Sequence, residues 1–418
     1  MHCSCRHGAH PDVVARARYL RYGGRYSNRA CTISRAKSEE YVPSQGVTEK
    51  SNEHLEMSRQ RIIAVLGRRD APTDAVEEYC RYLGEALQEQ GYDLIIDRVA
   101  WDEQGWTSAL RALRRRAIGW RDTWVLVQYT ALAWSLRGIP QKVLRALKIL
   151  GSAGARVGIV LHDAEPYPAS RLIDSVRRFV QVRTMRRALA LSDLAVFTVP
   201  PEKLSWLPAV PPQAAFVPVG PNLPVPPVPP EHSPLSVPTI GVFSITGGES
   251  GARETEIIIA TVRHAAQELG KLRLSVFGRH AELREADLRC GLCDLPVELL
   301  VEGVVEPAQV VQKLSVCDVL LFIRGPISSR RGSAIAGIAC GLPVIAYPGS
   351  ETALPMTYAG IVLVTPDQPD QLNTALVRVL SDHSYRDKLA ARSRAAYQAY
   401  FAWPAIAARF AALLNKKS

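Results

Sequence analysis

The arginine-rich stretch between residues 324 and 333 carries the side chains best suited to hold an anionic ligand. Arg324, Arg330 and Arg331 precede Gly332 and Ser333, and a run of small apolar residues follows that predicts a short helix. A loop that ends at a helix N-terminus offers free backbone N–H groups and the positive end of the helix dipole. Arginine adds forked donors that suit phosphate oxygens, and glycine lets a ligand approach the backbone. The pattern predicts a diphosphate site, and solvated arginines beside an ordinary helix start are the alternative.

Alternating strand and helix patterns must position this loop. Short apolar runs typical of buried parallel strands recur along both halves of the chain and are separated by helical spacing. The proline-rich stretch 220–238 excludes a helix or a central strand. We therefore predict an α/β protein with two Rossmann-like, doubly wound domains that face a cleft, at residues 60–219 and 239–400, with 220–238 as their linker.

The first 59 residues have no sustained periodicity, which predicts a disordered extension. Translation from Met57 is an alternative, because an apolar strand pattern follows that methionine closely.

A resemblance to a known family rests on the segment that follows the arginine loop. Ala339-Cys340-Gly341-Leu342-Pro343-Val344 resembles the C-terminal signature of the retaining glycosyltransferases known as "glycosyl transferases group 1". Weaker similarities to the family occur, in order, at residues 217–222, 301–304, 317–320, 360–364 and 400–403. The resemblance covers about residues 60 to 415. It implies a GT-B fold in which a terminal helix, residues 401–418, packs back toward the N-terminal domain.

The resemblance also implies an activity. The C-terminal domain would bind a nucleotide-diphospho-sugar, and its sugar would pass with retention to an acceptor hydroxyl held by the N-terminal domain. Cell-surface or exopolysaccharide assembly would be a typical setting, with a saccharide or a lipid-linked molecule as the acceptor. No Asp-x-Asp occurs in the sequence, so we expect a metal-independent enzyme with no cofactor beyond the sugar nucleotide.

The family pattern assigns further donor-binding candidates and shows one departure. A basic residue on the first helix of the second domain corresponds to Arg253, Gly247 lies in the preceding turn, and Arg279 follows a strand end. We expect these residues to bind the donor together with Arg330, Arg331, Gly332 and Ser333. The two glutamates usual in the family are replaced by Ser328 and Ala336. Glu351 could enter the site from the next loop, and a solvent-facing loop acid is the alternative.

Polar residues after two strands of the first domain are the candidates for catalysis and acceptor binding. His162 follows one strand and resembles the family's acceptor-side histidine; it could hydrogen-bond the reacting sugar. Asp163 or Glu165 could orient or deprotonate the acceptor hydroxyl. Gln128 and Tyr129 follow another strand and are expected to line the acceptor pocket. The alternative is that His162 and Asp163 only cap the end of their strand and have no part in the reaction.

Two other functions remain open at this stage. The missing glutamates favour a catalytically impaired relative that binds a sugar nucleotide or a glycan. A nucleotide-sugar epimerase shares the architecture but needs several carboxylates that converge on the cleft. Nucleic-acid binding would rest only on the formal net charge of +11, and we expect no nucleic-acid partner.

Cysteine spacing, hydrophobicity and charge indicate whether the protein binds a metal and where in the cell it acts. Cys290 and Cys293 form one C-x-x-C without a second pair, which favours a loop thiol pair over a metal site. No uninterrupted apolar stretch could span a membrane, so a cytoplasmic protein is expected. Basic residues of the N-terminal domain at 111–116 and 171–187 include patterns that could rest on the inner face of an anionic membrane, and a solvated helix face is the alternative.

Overall fold

The computed structural model describes residues 59–71, 73–169, 171–225 and 237–416. The predicted N-terminal extension, including Met57, lies outside the described residues except for Arg59, and so do residues 226–236 of the predicted linker and the last two residues.

The first half of the chain forms a parallel sheet of six strands. The sheet order is β2-β1-β3-β4-β5-β6. The strands are β1 (Gln60–Leu66), β2 (Tyr92–Arg98), β3 (Trp124–Tyr129), β4 (Arg156–Leu161), β5 (Leu194–Phe197) and β6 (Ala214–Phe216). The helices are α1 (Ala75–Gln88), α2 (Trp101–Ala117), α3 (Val143–Ser152) and α4 (Leu172–Ala190). The core beneath α2, α3 and α4 lies on one face of the sheet, and α1 packs on the other.

The second half repeats this plan. Its parallel sheet has the order β12-β11-β10-β7-β8-β9. The strands are β7 (Thr239–Phe243), β8 (Leu272–Phe277), β9 (Val297–Glu302), β10 (Val319–Pro326), β11 (Val344–Tyr347) and β12 (Ile361–Leu363). The helices are α5 (Gly248–Leu269), α6 (Glu285–Leu292), α7 (Pro307–Ser315), α8 (Gly332–Ala339), α9 (Pro369–Ser381) and α10 (His383–Ala396).

The C-terminal helix α11 (Trp403–Lys416) packs on the first half. A π-helical turn, Tyr397–Phe401, precedes it. Phe410 of α11 is fully buried in the same apolar cluster as Leu83 of α1. The indole of Trp403 donates a hydrogen bond to the carbonyl of Pro221 (2.9 Å). The last helix therefore completes the face of the first sheet that α2, α3 and α4 leave uncovered.

The predicted α/β class with two doubly wound domains is confirmed, because both sheets are parallel and have helices on both faces. In each sheet the strand order reverses beside the first strand, at β1 and β3 in one half and at β7 and β10 in the other. Ligands bind such sheets at the carboxyl ends of the strands near this reversal. Loops from these ends of the two sheets touch, since the Ser329 hydroxyl donates to the carbonyl of Thr198 (2.7 Å).

Candidate functional site

Four arginines gather at the carboxyl ends of β8 and β10. Arg279 follows β8, Arg324 lies at the end of β10, and Arg330 and Arg331 precede α8. Burial lowers the pKa of Arg324, and the charge of Arg279 lowers it further against the opposing effect of Glu254. Burial also lowers the pKa of Arg331, as do the charges of Arg330 and Arg324. Cations that destabilise one another in this way make a site that suits a polyanion.

Arg330 is paired with an acid from the next loop. Its Nε and Nη2 atoms each donate to a carboxylate oxygen of Glu351 at 2.8 Å, which is a bidentate pair. Burial raises the pKa of Glu351, but the hydrogen bonds and charge of Arg330 bring it below its usual value. Glu351 is therefore a carboxylate at neutral pH, and it lies beside Ser328, the position where the family carries its first glutamate.

The loop that carries Glu351 is held against the arginine loop by hydrogen bonds. The Thr352 hydroxyl donates to the carbonyl of Ile327 (2.6 Å) and accepts from the backbone N–H of Gly349 (2.9 Å). The N–H of Ile327 in turn donates to the carbonyl of Tyr347 at the end of β11 (2.9 Å). Neighbouring parallel strands thus fix the position of both loops.

The start of α8 lies next to these arginines. Gly332 is exposed, and a Cβ atom on it would meet no atom within 4 Å, so packing does not require a glycine there. Ser333 is partly buried. Ala336, where the family carries its second glutamate, is buried in the apolar cluster under α8. Gly332 and Ser333 are thus brought beside Arg331, and their predicted contact with the donor stays a prediction.

Gly247, in the turn before α5, and Glu254, in the first part of α5, lie at the same sheet edge. Gly247 is exposed at the N-cap of α5, and a Cβ atom there would approach the ring of His280 at 3.3 Å. Glu254 is buried and accepts a hydrogen bond from the N–H of Thr246 (2.9 Å). Arg253 is different: its side chain is 76% exposed, and its recorded ion pair, at 3.7 Å, is with Glu249. Glu254 of α5, which the sequence did not single out, raises the pKa of Arg324 against the effect of burial.

Arg279 connects the two halves. Its Nη2 atom donates to the hydroxyl (2.7 Å) and the carbonyl (3.1 Å) of Thr73, in the loop after β1. Its Nη1 atom lies 4.0 Å from the carboxylate of Asp70 in the same loop. The predicted donor-binding arginine thus lies in the cleft, and in this conformation it holds the first half.

A cavity of about 270 Å3 lies at the carboxyl ends of β1, β3 and β4. Gly67, Gln128, Thr130, Asp163 and Tyr167 are among the residues that line it. The carboxylate of Asp163 accepts hydrogen bonds from the N–H of Ala131 (2.9 Å) and the hydroxyl of Tyr167 (3.4 Å).

Asp163 links this cavity to the arginines. Burial raises the pKa of Asp163, while the Ala131 hydrogen bond and the charge of Arg330 lower it, with a net upward shift. A carboxylate that is partly desolvated and faces a cation across the cleft is suited to hold and accept a proton from a hydroxyl group. The structure therefore brings the predicted catalytic Asp163 close enough to the predicted donor-binding Arg330 for the two charges to interact.

His162 faces α1 rather than this cavity. Its Nε2 atom lies 2.8 Å from Oε1 of Gln128, and its ring packs edge-on against Tyr79 at 4.8 Å between centroids. Burial lowers the pKa of His162 to about 4, so the imidazole is neutral near pH 7. A neutral ring that donates from Nε2 to the amide oxygen retains Nδ1 as an acceptor. Its part in catalysis stays a prediction.

The structure does not place Tyr129, which was predicted to line the acceptor pocket, at this cavity. Its side chain is 1% exposed and belongs to the core beneath α2, α3 and α4. Successive residues of a strand point to opposite faces of the sheet, so Gln128 and Tyr129 cannot both face the same side. Gln128 is the one that borders the cavity.

Sequence reasoning missed several charged residues around the cavity. Arg98, at the end of β2, donates to the carbonyl of Gly67 (2.8 Å) and pairs with Asp74 at 3.0 Å. Arg68 and Asp70 line the same space. The sequence signal that could have found these residues is Gly67. It directly follows β1 and therefore lies at the same sheet edge as Asp163.

Within the described ranges, no group of three or more His, Cys, Asp or Glu residues could hold a metal ion. Cys290 and Cys293 are exposed thiols at the end of α6. Among these same residues, no helix has the length and apolar character needed to cross a membrane.

Comparison with solved structures gives the fold a name. Sucrose-phosphate synthase from Thermosynechococcus elongatus superposes with a TM-score of 0.60 at 17% identity, over 86% of this chain and 99% of that one. HepE from Anabaena, solved with UDP and glucose, gives 0.57 at 15% identity, over 86% of this chain and 100% of that one. The chain has the double-Rossmann fold of GT-B glycosyltransferases.

A third GT-B structure is similar over a comparable length. WaaG, a glycosyltransferase involved in lipopolysaccharide biosynthesis, gives a TM-score of 0.57 at 11% identity, over 84% of this chain and 99% of that one. No protein-family model and no curated protein sequence matches the chain. At these identities the similarity establishes the GT-B fold.

Proposed function

We propose that this protein is a glycosyltransferase that moves a sugar from a nucleotide-diphospho-sugar to an acceptor hydroxyl, with retention of configuration. The observation that carries the proposal is the arginine cluster at the β7/β10 strand reversal, next to a cavity that contains Asp163. Cell-surface or exopolysaccharide assembly is the setting that the family resemblance suggests.

The arginines would act on the leaving group. When the bond from the sugar to the diphosphate breaks, negative charge develops on the departing oxygen, and fixed cations in a partly dry site stabilise that charge. Arg324 and Arg331 belong to the cluster, since burial and the charges of neighbouring arginines lower the pKa of each. We infer that these side chains neutralise the diphosphate without a metal ion. Gly332 and Ser333 would add donors at the start of α8.

The acceptor would enter through the cavity of the first half. Its oxygen forms the new bond to the sugar carbon as the bond to the diphosphate breaks, and its proton passes to Asp163 or to the leaving phosphate oxygen. Burial raises the pKa of Asp163, which favours proton uptake by this carboxylate. The cavity of about 270 Å3 fits one saccharide unit, either of a free saccharide or of a lipid-linked one.

Glu351 would supply the carboxylate that the family pattern lacks at Ser328. Its side chain reaches the same place from the following loop and orients Arg330 through two hydrogen bonds. HepE from Anabaena has been solved in complex with UDP and glucose and in complex with UDP-glucose, so uridine nucleotides are the first ligands to test.

A catalytically impaired relative is the second candidate. Ser328 and Ala336 cannot act as carboxylates, and Ala336 is buried in the core. Such a protein would keep the arginine cluster and bind a sugar nucleotide without transferring the sugar.

Thermal stabilisation by a panel of nucleoside diphosphates and their sugar derivatives tests the proposal. We expect a selective rise in melting temperature with one base. In Arg331→Ala the Kd should rise roughly 10- to 100-fold, since a hydrogen bond to a charged group contributes about 1.5–3 kcal/mol. Arg289→Ala is the control, because Arg289 forms an exposed pair with Glu285 on α6, outside the cluster.

The outcomes separate the candidates. Stabilisation by no nucleotide, or by several equally with Arg331→Ala unchanged, would refute the donor site. Selective binding without sugar release or transfer would support the impaired relative. Sugar transfer that falls roughly 100-fold or more in Asp163→Asn, with nucleotide binding retained, would support the transferase.

A further inference from the structure

Helix α4 exposes an apolar stripe on its outer side. Leu172, Val176 and Phe179 are 90%, 60% and 66% exposed, and their spacing of four and three residues places them on one side of the helix. Ile173, which is also exposed, lies beside them. Single exposed apolar residues are ordinary on protein surfaces, whereas a contiguous group marks an interaction surface.

The same line along α4 continues in cations. Arg183 and Arg187 follow Phe179 at helical spacing and are exposed. Neither has an ion-pair partner among the residues that the structure describes. The outer side of α4 is therefore apolar in its first half and cationic in its second.

A neighbouring loop that carries two exposed apolar residues is tied to α4. The side-chain amide of Gln181 donates to the carbonyl of Gly138 (2.7 Å), which holds this loop against α4. Leu136 and Ile139, on either side of that glycine, are both exposed. We call Leu172, Ile173, Val176 and Phe179 of α4 the apolar patch.

A cationic groove lies in the same helical layer, between α2 and α3. It has a volume of about 750 Å3, and Arg111, Arg114, Arg145 and Lys148 are among its lining residues. None of the described residues that line it is acidic, and these four cations have no ion pair within the described chain. Ile118, at the rim, is exposed.

The positive charge of the layer formed by α2, α3 and α4 favours an anionic partner. Helices α2, α3 and α4 contain eleven arginine or lysine residues and three acidic residues. Two copies of such a face would repel each other, which argues against self-association through the apolar patch. An anionic bilayer offers both phosphates for the cations and an apolar interior for the patch.

We propose that the outer face of α2, α3 and α4 docks onto an anionic lipid bilayer. The apolar patch would enter between the headgroups, and the groove between α2 and α3 would contact lipid phosphates. Tyr167 lines the cavity and is bound through its N–H to Gln181 of α4 (2.8 Å), so docking would bring the cavity close to the lipid. A lipid-linked acceptor would follow from this placement, a consequence that rests on the proposed function.

Co-sedimentation of the full chain with vesicles tests the docking. One set of vesicles is phosphatidylcholine alone, and the other contains about one third phosphatidylglycerol as an anionic lipid. We expect binding to the anionic set, weakened by salt. Val176→Ser with Phe179→Ser should weaken this binding at least tenfold, because the double substitution removes apolar surface that the bilayer interior would bury. Arg111→Gln with Arg145→Gln should lower the affinity for anionic vesicles roughly fivefold for each cation removed, which corresponds to about 1 kcal/mol per charge near the surface.

Two controls accompany these variants. Leu283→Ser removes an exposed leucine from the second half and should sediment like the wild type. Arg331→Ala should also sediment like the wild type, because no nucleotide is present, so the donor site and the docking are tested separately.

Three results would overturn the proposal. The first is equal binding to both sets of vesicles or to neither. The second is undiminished binding of the Val176→Ser, Phe179→Ser variant. The third is a dimer in solution that this variant dissociates, since it would assign the apolar patch to a second copy of the chain.

Discussion

Replacing Glu351 with glutamine should destabilise the protein by an amount that depends on pH. Glutamine keeps the shape of the side chain and removes the charge that the two nitrogens of Arg330 meet at 2.8 Å. Breaking a fully buried pair costs about 3–5 kcal/mol. The Arg330 side chain is 23% exposed and that of Glu351 only 10%, so water can partly solvate the arginine left behind. We therefore expect a loss of about 2 kcal/mol at pH 7.

The pH dependence follows from the lowered pKa of Glu351. Burial alone would raise that pKa, but Arg330 brings it below the usual 4.5 in the folded protein. A group whose pKa is depressed by folding contributes its full stability above the pKa of the unfolded chain. That contribution is lost as the pH falls through the folded pKa. The difference between wild type and Glu351→Gln should thus be constant near neutrality and shrink below about pH 4.5.

Urea unfolding of both proteins at pH 7 and at steps below pH 4.5 measures this difference. Glu285→Gln, which removes the partner of exposed Arg289, is the matched control and should change stability by less than about 0.5 kcal/mol. Adding Arg330→Gln to Glu351→Gln should restore part of the loss, because no uncompensated charge then remains. Equal stability of wild type and Glu351→Gln at pH 7, or a difference that does not shrink in acid, would refute the reasoning.

Two further predictions concern packing around the first sheet. A Cβ atom on Gly67 would lie 2.3 Å from the carbonyl oxygen of Ala133, so Gly67→Ala should shift the cavity loops and lower the melting temperature, whereas Gly119→Ala meets open space and should not. Thermal unfolding of the pair checks this, and similar values would contradict it. Phe410→Ala should cost about 3–5 kcal/mol in urea unfolding, since α11 is part of the core under α1. A loss below about 1 kcal/mol would mean that α11 contributes little to the first half.

Local patterns in the chain were enough to predict the fold class. Apolar runs separated by helical spacing indicate buried parallel strands, and two such series imply two doubly wound sheets. β6 was not predicted, because its three residues are too few to show a period. The Ala-x-Gly-x-Pro-Val segment at 339–344 added the GT-B expectation, and the solved structures bear out that fold.

The site was predicted less completely, for a physical reason. A sequence shows that Arg330 and Arg331 end a loop before a helix, but not that Glu351, twenty-one residues later, pairs with Arg330. It also places Gln128 and Tyr129 together, whereas the pleat of β3 sends one to the cavity and the other to the core.

The sequence by itself determined the alternation of elements, the arginine loop and the short helix behind it, because these depend on neighbours along the chain. Only the tertiary structure decided which charges meet. Arg279 reaches Thr73 across the cleft, and Arg330 lowers the pKa of Asp163 from the opposite half. Electrostatic coupling and desolvation depend on distance in space, and the packing of two sheets with their loops sets those distances.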